Sequence, residues 1–282
     1  MRAAVAALAA LLFGCAVSPP ETRSAVHVVS LHPYAGKLRY IESSSPARAR
    51  LLFDTAGGLT LFSPAIASAA ECHPYTKLTS LRMSGERLEV DGCGPSRLAI
   101  DTLKLQPEAG VFDLMALLPK ELPRIDGLVS LQTFADHVVT IDLARNTLEV
   151  AGAVDRKRLH SMRAIPIRFS RSFAGAGLDV FVRIQGTRGP LWFELDSGNL
   201  DSVRISKHVL DQLGLATLQT ESLQQGNAAN IALNIEGLGP VTVEARGADI
   251  IYDGALNAVF LESAVFVLDL KHATAWGKLN DR

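Results

Sequence analysis

The chain has 282 residues, enough for one large domain or two of ordinary size. Hydrophobic residues make up 48% and charged residues 20%, which fits a packed globular protein and excludes extended disorder. Lys plus Arg is 28 against 29 for Asp plus Glu, so no field of one sign is available to hold a nucleic acid.

At the N-terminus, Met1-Arg2 precedes an unbroken small and apolar run from Ala3 to Phe13, followed by Gly14-Cys15. One positive charge before about eleven such residues has the geometry of an export signal and is too short for a permanent transmembrane helix. Leu12-Phe13-Gly14-Cys15 resembles the bacterial lipoprotein box, which implies a lipidated Cys15 and attachment to a membrane. Phe13 stands where a small residue is usual, and that leaves plain secretion open. Residues 1–25 are therefore expected to be a signal and tether, and the protein to work in the cell envelope, in the periplasm or on the outer membrane.

The next informative stretch is LLFDTAGG, 51–58, an apolar strand that runs into Asp54, a hydroxyl and small residues. An isolated ionised carboxylate in apolar surroundings is costly or shifts its pKa until it is neutral, so Asp54 calls for a partner. Ser63-Pro64 then opens a short helical pattern. Export permits disulfides, and with Cys15 set aside Cys72 and Cys93 can pair in only one way. A metal site from Cys72, His73 and Cys93 lacks ligand spacing, and the disulfide is the preferred reading. Residues 78–90, LTSLRMSGERLEV, alternate about Ser84-Gly85 as a hairpin would.

A repeat emerges further along. The stretch 126–150, DGLVSLQTFADHVVTIDLARNTLEV, aligns without a gap on 253–277, DGALNAVFLESAVFVLDLKHATAWG. Asp126/Asp253, Gly127/Gly254, Val138/Val265, Asp142/Asp269, Leu143/Leu270 and Thr147/Thr274 are identical pairs. Each copy reads as a turn, a short helix and a strand. The stretch DRKRLHSMRAIP follows the first copy and crosses to the second; its Arg156-Lys157-Arg158 reads as a solvated surface turn. Upstream of the second copy, LWFELDSGN (191–199) answers LLFDTAGG, and Ser206 opens a helical segment that Gly214 stops. Residues 220–236, with Gln225-Gly226-Asn227, are the candidate for a second hairpin. The partner of Asp54 is expected to be Asp196.

With FDTAG at 53–57, LDSG at 195–198 and the IDGLVSLQTF and YDGALNAVFL stretches downstream, the chain resembles the retropepsin-like aspartic proteases, in particular exported bacterial proteins with two such units in one polypeptide. The resemblance covers nearly all of the mature chain. It implies a mainly β fold with short helices: two pseudo-symmetric lobes, 26–153 and 160–282, meeting at a central cleft. It implies that Asp54 and Asp196 are catalytic, that Thr55 and Ser197 reach across to hold the two loops in register, and that Gly57 and Gly198 serve the tight turns. Ala56 departs from the pattern, standing where the family usually has Gly. Asp126-Gly127 and Asp253-Gly254 are expected to pack beside the active loops, and Ser130 and Asn257 to form the supporting wall. Asp142 and Asp269 are read as structural caps, and Trp192 and Trp276 as core residues.

The physical logic is independent of the likeness. Two neighbouring carboxylates cannot both ionise, so they share a proton; one then acts as general base on a water while the other donates to the scissile carbonyl. No cofactor or metal is called for. The seven histidines lack metal or triad spacing, and there is no nucleophile elbow or phosphate loop. The leading expectation is an exported aspartic endopeptidase, a monomer acting on a peptide or protein substrate. The alternative is an envelope protein that keeps the cleft and holds peptides without cleaving them.

Overall fold

The computed structural model describes residues 25–45 and 47–280; the segment expected to be an export signal and the expected lipidation site Cys15 lie outside them. The described chain is mainly β and two-lobed. Three large sheets carry it, and the alternating apolar segments of the repeat supply their buried faces.

The lobes share a six-stranded sheet whose order is Val26–Ser30, Thr147–Ala151, Val138–Asp142, Ala264–Asp269, Thr274–Leu279 and Arg163–Ile165. Its centre carries the internal symmetry. The repeat offset is 253 − 126 = 127, and Thr140 pairs with Val267, which is 127 positions on. The two copies thus meet antiparallel at equivalent residues, which puts a pseudo-two-fold axis through that pair. Val139, Ile141, Phe266 and Leu268 from these central strands join one apolar core that continues into both lobes through Phe53 and Phe193.

Each lobe adds its own sheet. In the first, strand Arg50–Phe53 lies parallel to Gly127–Val129, which lies antiparallel to Thr60–Phe62. In the second, Gly189–Leu195, Gly254–Leu256 and Val203–Ser206 repeat that arrangement. The apolar-Gly segment is therefore threaded between the two arms of each active loop. Gly127 is required there, because a methyl group on it would lie 2.1 Å from the Leu61 carbonyl oxygen.

Cys72 and Cys93 are disulfide-bonded, 21 positions apart in sequence. Closing a loop of that length contributes about 3 kcal/mol on the chain-entropy relation. The bridge ties the helix Pro64–Ala67 region to the base of the hairpin formed by strands Thr76–Leu81 and Arg87–Pro95.

Three expectations are corrected. Residues 220–236 are not a hairpin: helix Thr217–Gln224 runs into strand Ala228–Ile235, and the Gln-Gly-Asn turn joins the two. Strand Ala228–Ile235 pairs instead with Gly239–Ala248, and their connecting turn sits beside Ala164, away from the cleft. The tryptophans do not fill the lobe cores. Trp192 is half-buried beneath the Arg168 guanidinium, and half-buried Trp276 packs beside Val138, Met162, Val265 and Val267 of the shared sheet. The basic triplet forms a short helix, Arg156–Leu159, capped by Asp155, with Arg158 bonded to Glu149 and Thr140.

Candidate active site

Asp54 and Asp196 follow the two motif strands and are held by equivalent bonds. The Asp54 amide donates to the Val129 carbonyl at 3.1 Å and the Asp196 amide to the Leu256 carbonyl at 2.9 Å. Two residues on, the Ala56 amide donates to Asp54 Oδ1 at 2.9 Å and the Gly198 amide to Asp196 Oδ1 at 3.0 Å. Ala56 thus makes the bond its glycine counterpart makes, and its φ lies outside the left-handed region. Gly198 has no such freedom: a methyl there would lie 2.5 Å from Asp54 Oδ2, so the carboxylate of one loop rests on the backbone of the other.

Thr55 and Ser197 lock the loops together. Thr55 Oγ1 donates to the Leu195 carbonyl at 2.6 Å and accepts from the Ser197 amide at 2.9 Å. Ser197 Oγ donates to the Phe53 carbonyl at 3.1 Å and accepts from the Thr55 amide at 3.0 Å. All four bonds are buried and cross from lobe to lobe. Thr55→Val keeps the shape but strands a buried amide and a buried carbonyl. Its expected cost is about 3 kcal/mol of unfolding free energy, read from urea titrations, with a fall in any activity of the cleft.

The remaining paired residues brace this arrangement. Asp126 Oδ2 accepts from the Arg50 amide at 3.0 Å and Asp253 Oδ2 from the Trp192 amide at 2.8 Å, which pins the start of each motif strand. Ser130 Oγ donates to the Gly58 carbonyl at 3.0 Å, and Asn257 Nδ2 donates to the Asp201 carbonyl, which steadies the far end of each active loop. Gly57 lies against Leu128, and a methyl there would come 2.5 Å from its Cδ2. Gly254 lies as closely over the Phe193 ring. Asp142 and Asp269 sit away from the cleft and accept from the Arg145 and His272 amides in equivalent turns.

Both loops open into a cavity of about 380 Å³ between the lobes. The hairpin of residues 76–95 covers it: Gly85 turns the chain at φ +83°, and the Met83 carbonyl at its tip accepts from the Ile251 amide of the second lobe at 3.0 Å. The cavity also holds residues that the sequence reading did not single out, namely Asp179, Glu194 and Tyr252. Four carboxyl groups therefore face one space, and they alter each other's ionisation.

Burial raises Asp54 above the usual carboxylate range, opposed by the amides of Ala56 and Gly198. Burial first, and then the charge of Asp54, push Asp196 well above it. Glu194 is raised strongly by burial and by Asp196, Asp179 and Asp54. Asp179 is pushed up to about 7, mainly by burial, with the Ser172 hydroxyl and Gly58 amide opposing. The Tyr252 phenol is raised too, by burial and by the acids around it. A pocket of this kind retains protons near neutral pH. Among the described residues no three or more His, Cys, Asp or Glu side chains are grouped so that they could hold a metal ion.

The fold has solved relatives. The crystal structure of basic 7S globulin from soybean superposes with a TM-score of 0.56 at 9% identity, covering 89% of this chain and 94% of its own. That of conglutin gamma, a basic 7S globulin from lupine seeds, gives 0.58 at 12% identity, covering 91% and 95%. Both folds are distantly related to those of the pepsin-like aspartic proteases. The likeness is one of fold. No protein-family model matches the chain, and no curated protein matches it in sequence.

Proposed function

We propose that the protein is an exported aspartic endopeptidase with two retropepsin-like lobes, using Asp54 and Asp196 as a proton-sharing dyad. The observation that carries this reading is the reciprocal set of four bonds between Thr55 and Ser197 and the opposite loops, with each aspartate held by the amide two residues on. Such a lattice fixes two carboxyl groups that would otherwise repel, and positioning is where much of the catalytic effect originates.

In the reaction, the dyad carries one proton. Its ionised member takes a proton from a water as the oxygen attacks the scissile carbonyl carbon. Its protonated member donates to the carbonyl oxygen as that oxygen gains charge. Collapse of the tetrahedral intermediate returns a proton to the leaving nitrogen, and no bond to the enzyme forms. The hairpin tip at Met83 closes the cavity from the first lobe, which keeps bulk water from competing. The peptide lies extended under that hairpin, with alternate side chains entering the cavity. The envelope setting and the lipidated Cys15 belong to the same proposal and rest on the N-terminal sequence.

The test is incubation of the full chain with a mixed library of unmodified peptides between pH 3 and 7, with products identified by mass spectrometry. Discrete new peptide termini are expected, strongest on the acid side. A library that stays intact at every pH contradicts the proposal.

A further inference from the structure

The two walls of the cleft can be compared position by position, because both active loops grow from the same hairpin geometry. Leu52 precedes Asp54 by two residues, as Glu194 precedes Asp196. In the first lobe Tyr40 pairs with Leu52; in the second Phe181 pairs with Glu194. Counted two residues further, past the last paired residues, these registers match Leu38 to Asp54 and Asp179 to Asp196. Leu38 and Leu52 are therefore the pseudo-symmetric counterparts of Asp179 and Glu194. All four are equally buried, at 4%, 5%, 3% and 3% exposure. Only their chemistry differs: two leucines in one lobe, two acids in the other.

Buried acids at positions where leucine fits the same fold are not there for packing. Strand alternation puts Glu194 on the same face as Asp196, about 6.6 Å along the strand, and both line the cavity. The Glu194 carboxyl has no hydrogen-bond or ion-pair partner among the described residues, although it is almost wholly buried. The two arginines that line the same cavity are engaged elsewhere: Arg204 pairs with Asp201, and Arg82 on the hairpin pairs with Glu86. The first-lobe side of the same cavity is apolar, made by Phe112, Leu114, Leu117 and Leu128.

We infer that Glu194 and Asp179 form a specificity pocket for a cationic side chain, lysine or arginine, on one side of the scissile bond, while the apolar wall takes the residue on the other. The inference rests on the peptide-cleaving reading and deepens it by naming the substrate class. An entering ammonium or guanidinium supplies the counter-charge that the pocket lacks. The acids release their protons to solvent as the cation docks, and the pair becomes a charge-assisted contact.

The experiment uses two peptides that differ at one residue, lysine or norleucine, placed in turn before and after a reduced bond that cannot be cleaved. Affinities are measured calorimetrically for wild type, Glu194→Gln, Glu194→Leu and Asp179→Leu. In one of the two placements, wild type is expected to bind the lysine peptide at least about tenfold more tightly. The preference should fall to within about twofold in each variant, while norleucine affinity is kept or improved. The shape-preserving Glu194→Gln separates lost charge from lost fold. Equal affinities in wild type, or no binding of the lysine peptides, overturn the inference. Cleavage of the matching peptides with ordinary bonds tells the two readings apart. Selective binding without cleavage leaves the pocket and removes the protease, whereas cleavage without lysine preference does the reverse.

Discussion

Asp54→Asn and Asp196→Asn are each expected to lower kcat for peptide cleavage by roughly 10³-fold or more, while making the folded protein more stable at neutral pH. The first effect follows from the chemistry. Asparagine can donate or accept a hydrogen bond but cannot take a proton from water. The second follows from burial. Both carboxyls are raised in the folded state. A group whose folded pKa lies above its unfolded one stabilises the fold below the unfolded pKa and loses that contribution as pH rises through the folded one. An asparagine never ionises, so it escapes the loss. Steady-state kinetics on a cleaved peptide, with melting temperatures at pH 4 and pH 7, reads both quantities. A large drop in kcat with an unchanged or raised melting temperature assigns the role to chemistry. A lowered melting temperature in both variants would make the aspartates structural.

The second large effect is a stability that declines from acid to neutral pH, traced to Asp179. Its pKa moves from the ordinary 3.8 to about 7 in the folded state. That displacement corresponds to roughly 4 kcal/mol between the protonated and ionised forms. The contribution is complete below about pH 4 and is gone above about pH 7. Asp179→Asn should flatten this part of the curve: urea midpoints that fall for wild type between pH 4 and 7.5 should fall markedly less in the variant. Parallel curves for the two proteins would show that Asp179 ionises as freely when folded as when unfolded. Glu194 and Asp196 shift in the same direction, so a residual decline is expected in the Asp179 variant.

Much of the architecture was legible in the residues. The gapless correspondence of 126–150 with 253–277 carries the two lobes, and it reappears physically in the pairing of Thr140 with Val267. The apolar strand, acid, hydroxyl and glycine order of each loop foretold which side chains would be neighbours, because each step has a distinct local requirement. What escaped were features set by long-range register. Glu194 carried a visible signal: it is an acid inside an apolar strand, where its counterpart in the first unit is Leu52. Asp179 carried almost none, since its place in the cavity depends on a hairpin pairing that local pattern does not specify. The second hairpin was misread because a Gln-Gly-Asn turn ends a helix as readily as it joins two strands. The tryptophans misled for another reason: large aromatic area is buried as well by half-covering a sheet face as by filling a core.

The central claim is that the crossed loops hold Asp54 and Asp196 as one proton-sharing unit. The most direct measurement is an NMR titration of the two side-chain carboxyl carbons in the full chain, repeated in Asp196→Asn. The account predicts two coupled steps, one of them well above the ordinary carboxylate range, and in the variant a single Asp54 step at lower pH than the upper step of the pair. Two independent titrations near the ordinary aspartate value, with Asp54 unmoved by the substitution, would contradict it.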